Sequence, residues 1–507
     1  MFASRSRALV AISVAFAALA VGMAQQDLVI AVGTDAVTLD VHGVTDVPTF
    51  NVTGHMFESL FRLTPEGDVE PLLATGYAVS DDGTVVTLTL REGVTFHDGT
   101  PFDAAAVKAN IERVQDPALA NAFATLISAI QEVTVTGEHS LELRLRAPFA
   151  PLLPHLTHSS LGMMSPATFD DPELHQNPVG TGPFVLEEWV RGERLVLARH
   201  DGYWGEPATL DTITFLPISE GTTRLSLVQT GAAHVATHVP PQDVERIDAL
   251  DDVTVHKVDS LRTIYVFFNN HREPFTDPRV RQAFNHAIDK EAIVEFVLGG
   301  AGRVSDAAMA PGVFGYAATG TYDYDPARAR ALLAEAGFPD GMEVTLHSPT
   351  GRYMQDIQVA EALQSYLADV GVTATIVTLE WASYLADIGR PAEESIVQLG
   401  LMGWGVSTGD ADQALFNVLH GSQRLPVGSN RSFYASPRFD ELLDRGRVET
   451  DEAARRAIYA EALQVVYEEA PWIFLHSERQ LVAIRDEVEG LRVLPTERID
   501  AYGVTLR

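Results

Sequence analysis

The chain contains no cysteine. That removes disulfides, thiolate metal sites and thiol redox chemistry, and with them the lipid-carrying cysteine that tethers some exported proteins. Lysine is almost missing too: Lys108, Lys257 and Lys290 are the only ones in 507 residues, so nearly all positive charge is arginine. Acidic residues outnumber basic ones 69 to 36, for a net charge of −33, which argues against nucleic acid and anionic membrane surfaces as partners. Beyond residue 24 no apolar run approaches the ~20 residues that a membrane-spanning helix needs. Repeats and low-complexity tracts are absent as well.

What is there begins with an export signature. Arg5 and Arg7 precede an apolar stretch from Ala8 to Val21, then Gly22, Met23 and Ala24, the layout of a secretory signal cleaved near Ala24. The processed chain would start at Gln25 and be soluble. Its roughly 480 residues exceed one ordinary core, so two or three domains are expected. Leu28–Val32 reads as a short strand running into Gly33, Thr34 and Asp35, a loop of the kind that meets ligand at the carboxyl end of a sheet strand. Asp277-Pro278 and Asp325-Pro326 each open a helix, and Gly337 is placed to end the second. Glu343–Leu346, Met354–Val370 and Val372–Leu379 read as strand, helix and strand, a unit that makes parallel neighbours. A strand near Ile396–Met402, helices near Pro437–Arg447 and Glu452–Glu469, and a last strand at Trp472–His476 follow. The fold class is α/β, and these runs imply two α/β lobes with a cleft between them.

The most informative segment is VVTLTLREGVTFHDGTPFDAAAVKANIERV, from Val85 to Val114. Val86, Leu88 and Leu90 alternate with polar residues as in a half-buried strand, and Gly93 and Asp98-Gly99 supply turns. Asp103 then caps a helix whose apolar stripe is Val107, Ile111 and Val114, with Phe102 and Val107 spaced as a hydrophobic staple. In letters and order this segment resembles the signature region of the family 5 extracellular solute-binding proteins, which deliver peptides, nickel and related solutes to ABC importers. The resemblance extends over essentially all of the processed chain. It implies a two-lobed periplasmic-binding-protein type II fold with an additional inserted β-rich domain. After a signal peptide at 1–24, lobe I would be discontinuous (25–50, 176–268 and 476–507), domain II inserted at 51–175, and lobe III would span 269–475. Crossovers near Val258–Phe268 and Phe474–Glu478 would act as hinge strands. It also implies a monomeric periplasmic protein that needs no cofactor and presents a small peptide to the permease subunits of an importer.

Two loops carry the ligand expectation. In SPTGRYMQD, Arg352 matches the region where dipeptide binders of the family place an arginine on the ligand carboxylate, and a guanidinium fork suits a carboxylate bidentately. A surface arginine, or one paired with Asp356, fits the letters equally well. In GWGVSTGDADQAL, peptide-binding relatives carry an Asp three positions after the Trp, where it holds the ligand's ammonium; here that position is Ser407. A neutral hydroxyl cannot make the charge-assisted bond that an ammonium needs on leaving water. Asp410 or Asp412 are candidates to take over, and Trp404 either stacks on ligand or fills the cleft wall. This stretch, with NRSFYASPRFDELL from Asn430 to Leu443, closely resembles the glutathione-binding proteins of the family. Glutathione carries two carboxylates and an ammonium, so the resemblance implies Arg352, Asp410, Ser407 and Thr408 as partners, with Thr34 and Asp35 from the first lobe. Arg262 and Tyr265, near the expected hinge, are further candidates.

Two other readings have specific letters behind them. Gly405-Val406-Ser407-Thr408-Gly409 spells GxSxG between an expected strand and helix, the context of a nucleophile elbow, with Asp440 and His476 as formal triad partners. The motif is short, and the preceding GW explains the glycines as a tight ligand-facing loop. For a nickel carrier the histidines are scattered, with His155 and His158 a close pair and no HExxH motif. The expectation is therefore a binding protein, not an enzyme, with no resident metal.

Overall fold

The computed structural model describes residues 25–507 apart from 45, 120 and 122, so the expected signal peptide, 1–24, lies outside the described residues. Strand β1 (Asp27–Val32) starts the main sheet, and the chain leaves it through helix α1 (Val47–Thr53) for a separate small sheet. There β2 (Phe61–Leu63) and β3 (Val69–Pro71) form a ribbon. Strands β4 (Ala74–Val79), β5 (Val85–Leu90), β6 (Ile130–Gly137) and β7 (Ser140–Leu145) pair antiparallel in the order β4-β5-β7-β6. Alternation along β5 buries Val86, Leu88 and Leu90, and Gly83, at φ 68°, turns the β4–β5 hairpin. Helix α2 (Ala104–Gln115) begins where the Asp103 carboxylate accepts from the Ala106 N–H at 2.8 Å, and it buries Val107, Ile111 and Val114.

The main sheet continues with β8 (Phe184–Val190), β9 (Arg194–Arg199), β10 (Thr212–Pro217), β11 (Val235–Ala236) and β12 (Val253–Phe268). It is completed by β13 (Gly302–Val304), β14 (Met342–Pro349), β15 (Val372–Leu379), β16 (Leu399–Gly405) and β17 (Trp472–Arg485). Its order is β15-β14-β16-β12-β17-β11-β1-β10-β9-β8, with β13 beside β17. As the spacing predicts, β14 and β15 are parallel neighbours, joined by the helix Asp356–Asp369.

Two long strands hold the halves together. β12 has 16 residues, about 50 Å of extended chain, and pairs with β17 along most of its length. β17 continues the sheet to β11 in one half, while β12 continues it to β16 in the other. The β12–β17 register slips between Asp259 and Thr263, where the sheet passes between halves. β17 runs on to Arg485, beyond the expected end at His476, because Ser477 to Gln480 interrupt the apolar pattern yet stay in the strand. One apolar core, with Leu28, Ile30, Phe184, Leu197, Ile213 and Phe215, lies under β1 and β8–β10; a second is continuous from the small sheet to β14–β16.

Candidate functional site

Gly33, Thr237 and Gly351 lie just beyond the carboxyl ends of β1, β11 and β14, where ligands bind in open α/β sheets. The two halves meet there. A Cβ on Gly33 would lie 2.0 Å from the carbonyl oxygen of Gly351, a contact that only glycine permits. Two compartments flank the contact, share Val47 and Arg352, and hold about 530 and 370 Å³ of unfilled space, part of it open to solvent. The one beside Thr34 sets Thr34, Asn51, His238, Gln480 and Glu497 among the aliphatic Val32, Pro48, Val482 and Ile499. The aromatic one has Phe123, Tyr353, Trp381 and Trp404, together with Asp46, Arg262 and Ser407. Asp46 caps α1 by accepting from the Thr49 N–H at 3.1 Å, and its other oxygen accepts from the Trp381 indole across the cleft at 2.6 Å.

The loop that presents Arg352 is fixed from beneath. Gly351 turns at φ 74°, and the buried Asp356 carboxylate gathers the backbone N–H groups of Arg352, Tyr353 and Ile357 at 2.9, 3.2 and 3.0 Å. Burial holds the Asp356 carboxyl up at about 6 against those bonds. Asp356 thus binds the backbone of Arg352, leaving its guanidinium free of that partner. The Arg352 side chain is 3 % exposed, its Nε has no hydrogen-bond partner among the described residues, and the nearest acid among them, Glu497, stands 3.9 Å from Nη2. Its Cζ lies 4.7 Å from the Tyr353 ring centre and 5.3 Å from that of Trp381. A guanidinium out of water and without a close anion is costly, which is the state that an incoming carboxylate relieves.

Arg262 enters the same compartment from β12. On β16 its cross-strand neighbours are glycines: Gly405 pairs with Arg262 and Gly403 with Ile264. A Cβ on Gly405 would come 2.9 Å from Arg262 Nη2, and one on Gly403 would come 2.9 Å from Arg262 Cδ. The Gly-Trp-Gly letters therefore belong to a strand, where the missing side chains make room for a guanidinium; the expected tight loop begins only later. Arg262 Nε donates to Glu497 at 2.6 Å and Nη1 to the Gly403 carbonyl at 2.9 Å, while Nη2 is buried without a partner among the described residues. Burial raises the Glu497 carboxyl, but Arg262 and then Arg352 override it and hold it down at about 2. Glu478, deeper in the cluster, is pushed up to about 7 by burial and by the Glu497 charge.

That shift sets a pH dependence. A carboxyl raised in the folded state keeps its proton longer than in the unfolded chain, so stability drains away as pH rises from about 4.5 through about 7. Glu478→Gln is expected to remove this loss. Its stability relative to wild type should climb between pH 5 and 8 to a gain of the order of 2 kcal/mol, read by denaturant melts across pH.

Backbone strain concentrates here. His238 and Glu497, which line the compartment beside Thr34, and Gln355, near Arg352, adopt φ of 50°, 65° and 53°. Left-handed conformations cost side-chain-bearing residues about 1–2 kcal/mol each and persist where surrounding structure over-determines them.

Of the residues singled out from sequence, Thr34, Arg262, Arg352, Trp404 and Ser407 come together around the compartments. Trp404 donates to the Gln413 carbonyl at 3.0 Å and stacks on Phe123 at 6.2 Å. The others are engaged elsewhere. Asp35 accepts from the Trp189 indole at 3.2 Å and the Gly192 N–H at 2.8 Å. The backbone N–H of Thr408 is bound to Gln413, and its hydroxyl accepts from the Asp410 N–H. Both oxygens of Asp410 are held by Arg455 at 2.7 Å, a buried bidentate pair. Tyr265 stacks on Trp472 at 3.7 Å within the core. Asp410→Asn is expected to cost about 3 kcal/mol of stability, because it leaves the Arg455 guanidinium buried with a weakened partner. Denaturant melts check this; a ligand-anchoring role would instead lower affinity at unchanged stability.

Sequence reasoning missed Asp46, Asn51, His238, Tyr353, Trp381 and Glu497. Only Asp46 left a local signal, as an acidic cap before Pro48. Ser407 hydrogen-bonds neither His476 nor Asp440 among the described residues, and it is not among the residues with positive φ. His155 lies 2.8 Å from the Leu126 carbonyl and 3.3 Å from Asp412, and His158 bonds Ser160 at 2.7 Å.

Two α/β halves on one sheet, crossed by paired long strands and meeting at a buried charged cleft, define a type II periplasmic binding protein. The chain belongs to the bacterial extracellular solute-binding proteins, family 5, whose model matches residues 68–425. The glutathione-binding protein GsiB of Escherichia coli strain K12 is 32% identical over 493 residues, 96% of each chain. That of Salmonella typhimurium is 32% identical over 478 residues, 93% of each. Among solved structures, the periplasmic binding protein DppA of Helicobacter pylori in complex with the peptide STSA matches at TM-score 0.88 and 27% identity, covering 95% of this chain and 98% of that one. A dipeptide binding protein from Pseudoalteromonas sp. SM9913, in complex with Met-Leu, matches at TM-score 0.88 and 26% identity, covering 95% of this chain and 100% of the other.

Proposed function

We propose that this protein captures glutathione or a similar short peptide in the periplasm and hands it, as a monomer, to the permease of an ABC importer, making and breaking no bond. The observation that carries this reading is Arg352, a buried guanidinium with an unused N–H at the junction of the two compartments. In this reading Thr34, Arg352, Trp404 and Ser407 contact ligand. The division at 25–50, 176–268 and 476–507, at 51–175 and at 269–475 supplies the moving bodies, and β12 and β17 serve as the hinge. Ligand favours the closed arrangement by touching both halves, which only that arrangement allows. Residues 1–24 direct export.

A general dipeptide carrier is the second reading, favoured by the peptides in the two structural relatives. Ser407 counts against it, since the wall where plain peptide binders hold the ligand ammonium with an Asp here offers a neutral hydroxyl. Titration calorimetry with reduced and oxidised glutathione and with plain dipeptides separates the two. Heat with glutathione supports the first; heat with dipeptides alone overturns it. Mass spectrometry of ligand released from protein purified out of its native periplasm gives the same decision independently.

A further inference from the structure

The aromatic compartment carries more charge than one carboxylate anchor requires. Building on the reading of the cleft as a seat for a glutathione-type peptide, we propose that this compartment selects ligands with two carboxylates and one ammonium. Arg352 and Arg262 take the carboxylates, and Asp46 takes the ammonium.

Arg352 Nε and Arg262 Nη2 are both buried and lack partners among the described residues, on side chains that line the same compartment. One ligand carboxylate satisfies the Arg352 fork; Arg262 Nη2 is a second donor that needs its own acceptor, and a carboxylate oxygen makes the strongest bond to a guanidinium. Glu497 does not fill that role. One of its oxygens is taken by Arg262 Nε at 2.6 Å, and the other stands 3.9 Å from Arg352, beyond hydrogen-bond reach. Gly403 and Gly405 keep the route to Arg262 clear, since a Cβ on either would press into its side chain.

The ammonium seat follows from the acids that remain. On the Ser407 loop Asp410 is held by both arms of Arg455, so that wall offers a hydroxyl and no free charge. Asp46 lines the same compartment from the opposite half. Its oxygens accept one N–H each, from Thr49 and Trp381, and a carboxylate has about four acceptor sites, which leaves capacity for an ammonium. The anchor for positive charge therefore sits on the α1 side of the cleft, where closure brings it against Trp381.

Calorimetry on the whole protein with glutathione and three near-isosteres tests this. Glutaryl-cysteinyl-glycine lacks the ammonium, 4-aminobutyryl-cysteinyl-glycine lacks the α-carboxylate, and the glycine carboxamide of glutathione lacks the other carboxylate. Wild type is expected to lose roughly 10- to 100-fold in affinity with each. Asp46→Asn, which keeps a good helix cap, is expected to weaken glutathione by a similar factor yet leave the ammonium-free analogue unchanged. Arg262→Gln should lose its effect with one carboxylate-deficient analogue, and Arg352→Gln with the other. A wild type indifferent to the analogues, or variants that weaken all four ligands equally, overturns the assignment. The wild-type comparison needs no variant, so a substitution that fails to fold leaves the test standing.

Failure of the glutathione reading looks different, namely no heat from wild type with glutathione itself. Ala-Glu against Ala-Ala then decides the charge pattern alone. A preference of about tenfold or more for Ala-Glu upholds it, and equal or absent binding of both overturns it.

Discussion

Gly33→Ala is expected to weaken ligand binding roughly 100-fold while leaving the unliganded protein as stable as wild type. The new Cβ would sit 2.0 Å from the Gly351 carbonyl oxygen and 3.2 Å from its carbon. A backbone carbonyl cannot swing aside as a side-chain tip can, so the halves must part by at least the 1.0 Å that separates 2.0 Å from the 3.0 Å real Cβ contacts respect. Overpacking of this kind costs about 1–3 kcal/mol, and a clash with backbone belongs at the upper end. The cost falls on the closed arrangement alone, because Gly33 is not among the glycines with positive φ and alanine suits its backbone. A ligand gains affinity only from contacts that differ between open and closed states, so a penalty confined to closure appears in full as lost affinity. Calorimetry reads the affinity, and small-angle scattering should show wild type contracting with ligand while Gly33→Ala stays extended. Equal binding by the two proteins would show that capture does not require the halves to touch here.

The parts of the molecule legible in the sequence are those where local chemistry and fold agree. Asp103 caps α2, and Val86, Leu88 and Leu90 alternate into one core, so a period and a cap suffice to place the small sheet and its helix. The Arg352 loop is legible for the same reason, lying between a strand and a helix with glycine at the turn. What is illegible depends on distance along the chain. Glu497 holds Arg262 from 235 residues away, and no local pattern marks it as a cleft residue. Asp46 meets Trp381 across 335 residues. Gly403 and Gly405 read as loop glycines because glycine is a poor strand former, and only the Arg262 guanidinium beside them explains their place in β16. Asp410 shows the converse limit: an acid beside a ligand-type loop reads as an anchor, while its arginine partner lies 45 residues on, on another helix.

Arg352→Gln is expected to separate affinity from stability in opposite directions. Removing the guanidinium removes the charged fork for a ligand carboxylate, and such bonds, made in a dry site, are worth about 1.5–3 kcal/mol or more each, so a bidentate pair lost implies at least a 100-fold drop in affinity. The same substitution relieves the closed arrangement before ligand enters it, and costs the open arrangement nothing. Arg352 is 3 % exposed, has a buried Nε without a partner, and stands 3.9 Å from its nearest carboxylate, so its desolvation is poorly compensated until ligand arrives. Glu497 keeps its 2.6 Å bond to Arg262 and is not orphaned. The two aromatic rings beneath Arg352 lose a cation contact worth about 2 kcal/mol in a desolvated site, a smaller quantity than the several kcal/mol of charge burial removed. Melts of the unliganded variant should therefore show equal or slightly higher stability, by about 1 kcal/mol, alongside calorimetry that shows binding nearly gone. Arg262→Gln is the contrast: it strands Glu497 as a buried charge without its close partner and should destabilise the unliganded protein by about 3 kcal/mol. That difference in sign separates a guanidinium committed to ligand alone from one that also holds a buried carboxylate. If Arg352→Gln instead unfolds more easily and binds unchanged, Arg352 belongs to the scaffold with Glu497, and the carboxylate seat lies elsewhere in the cleft.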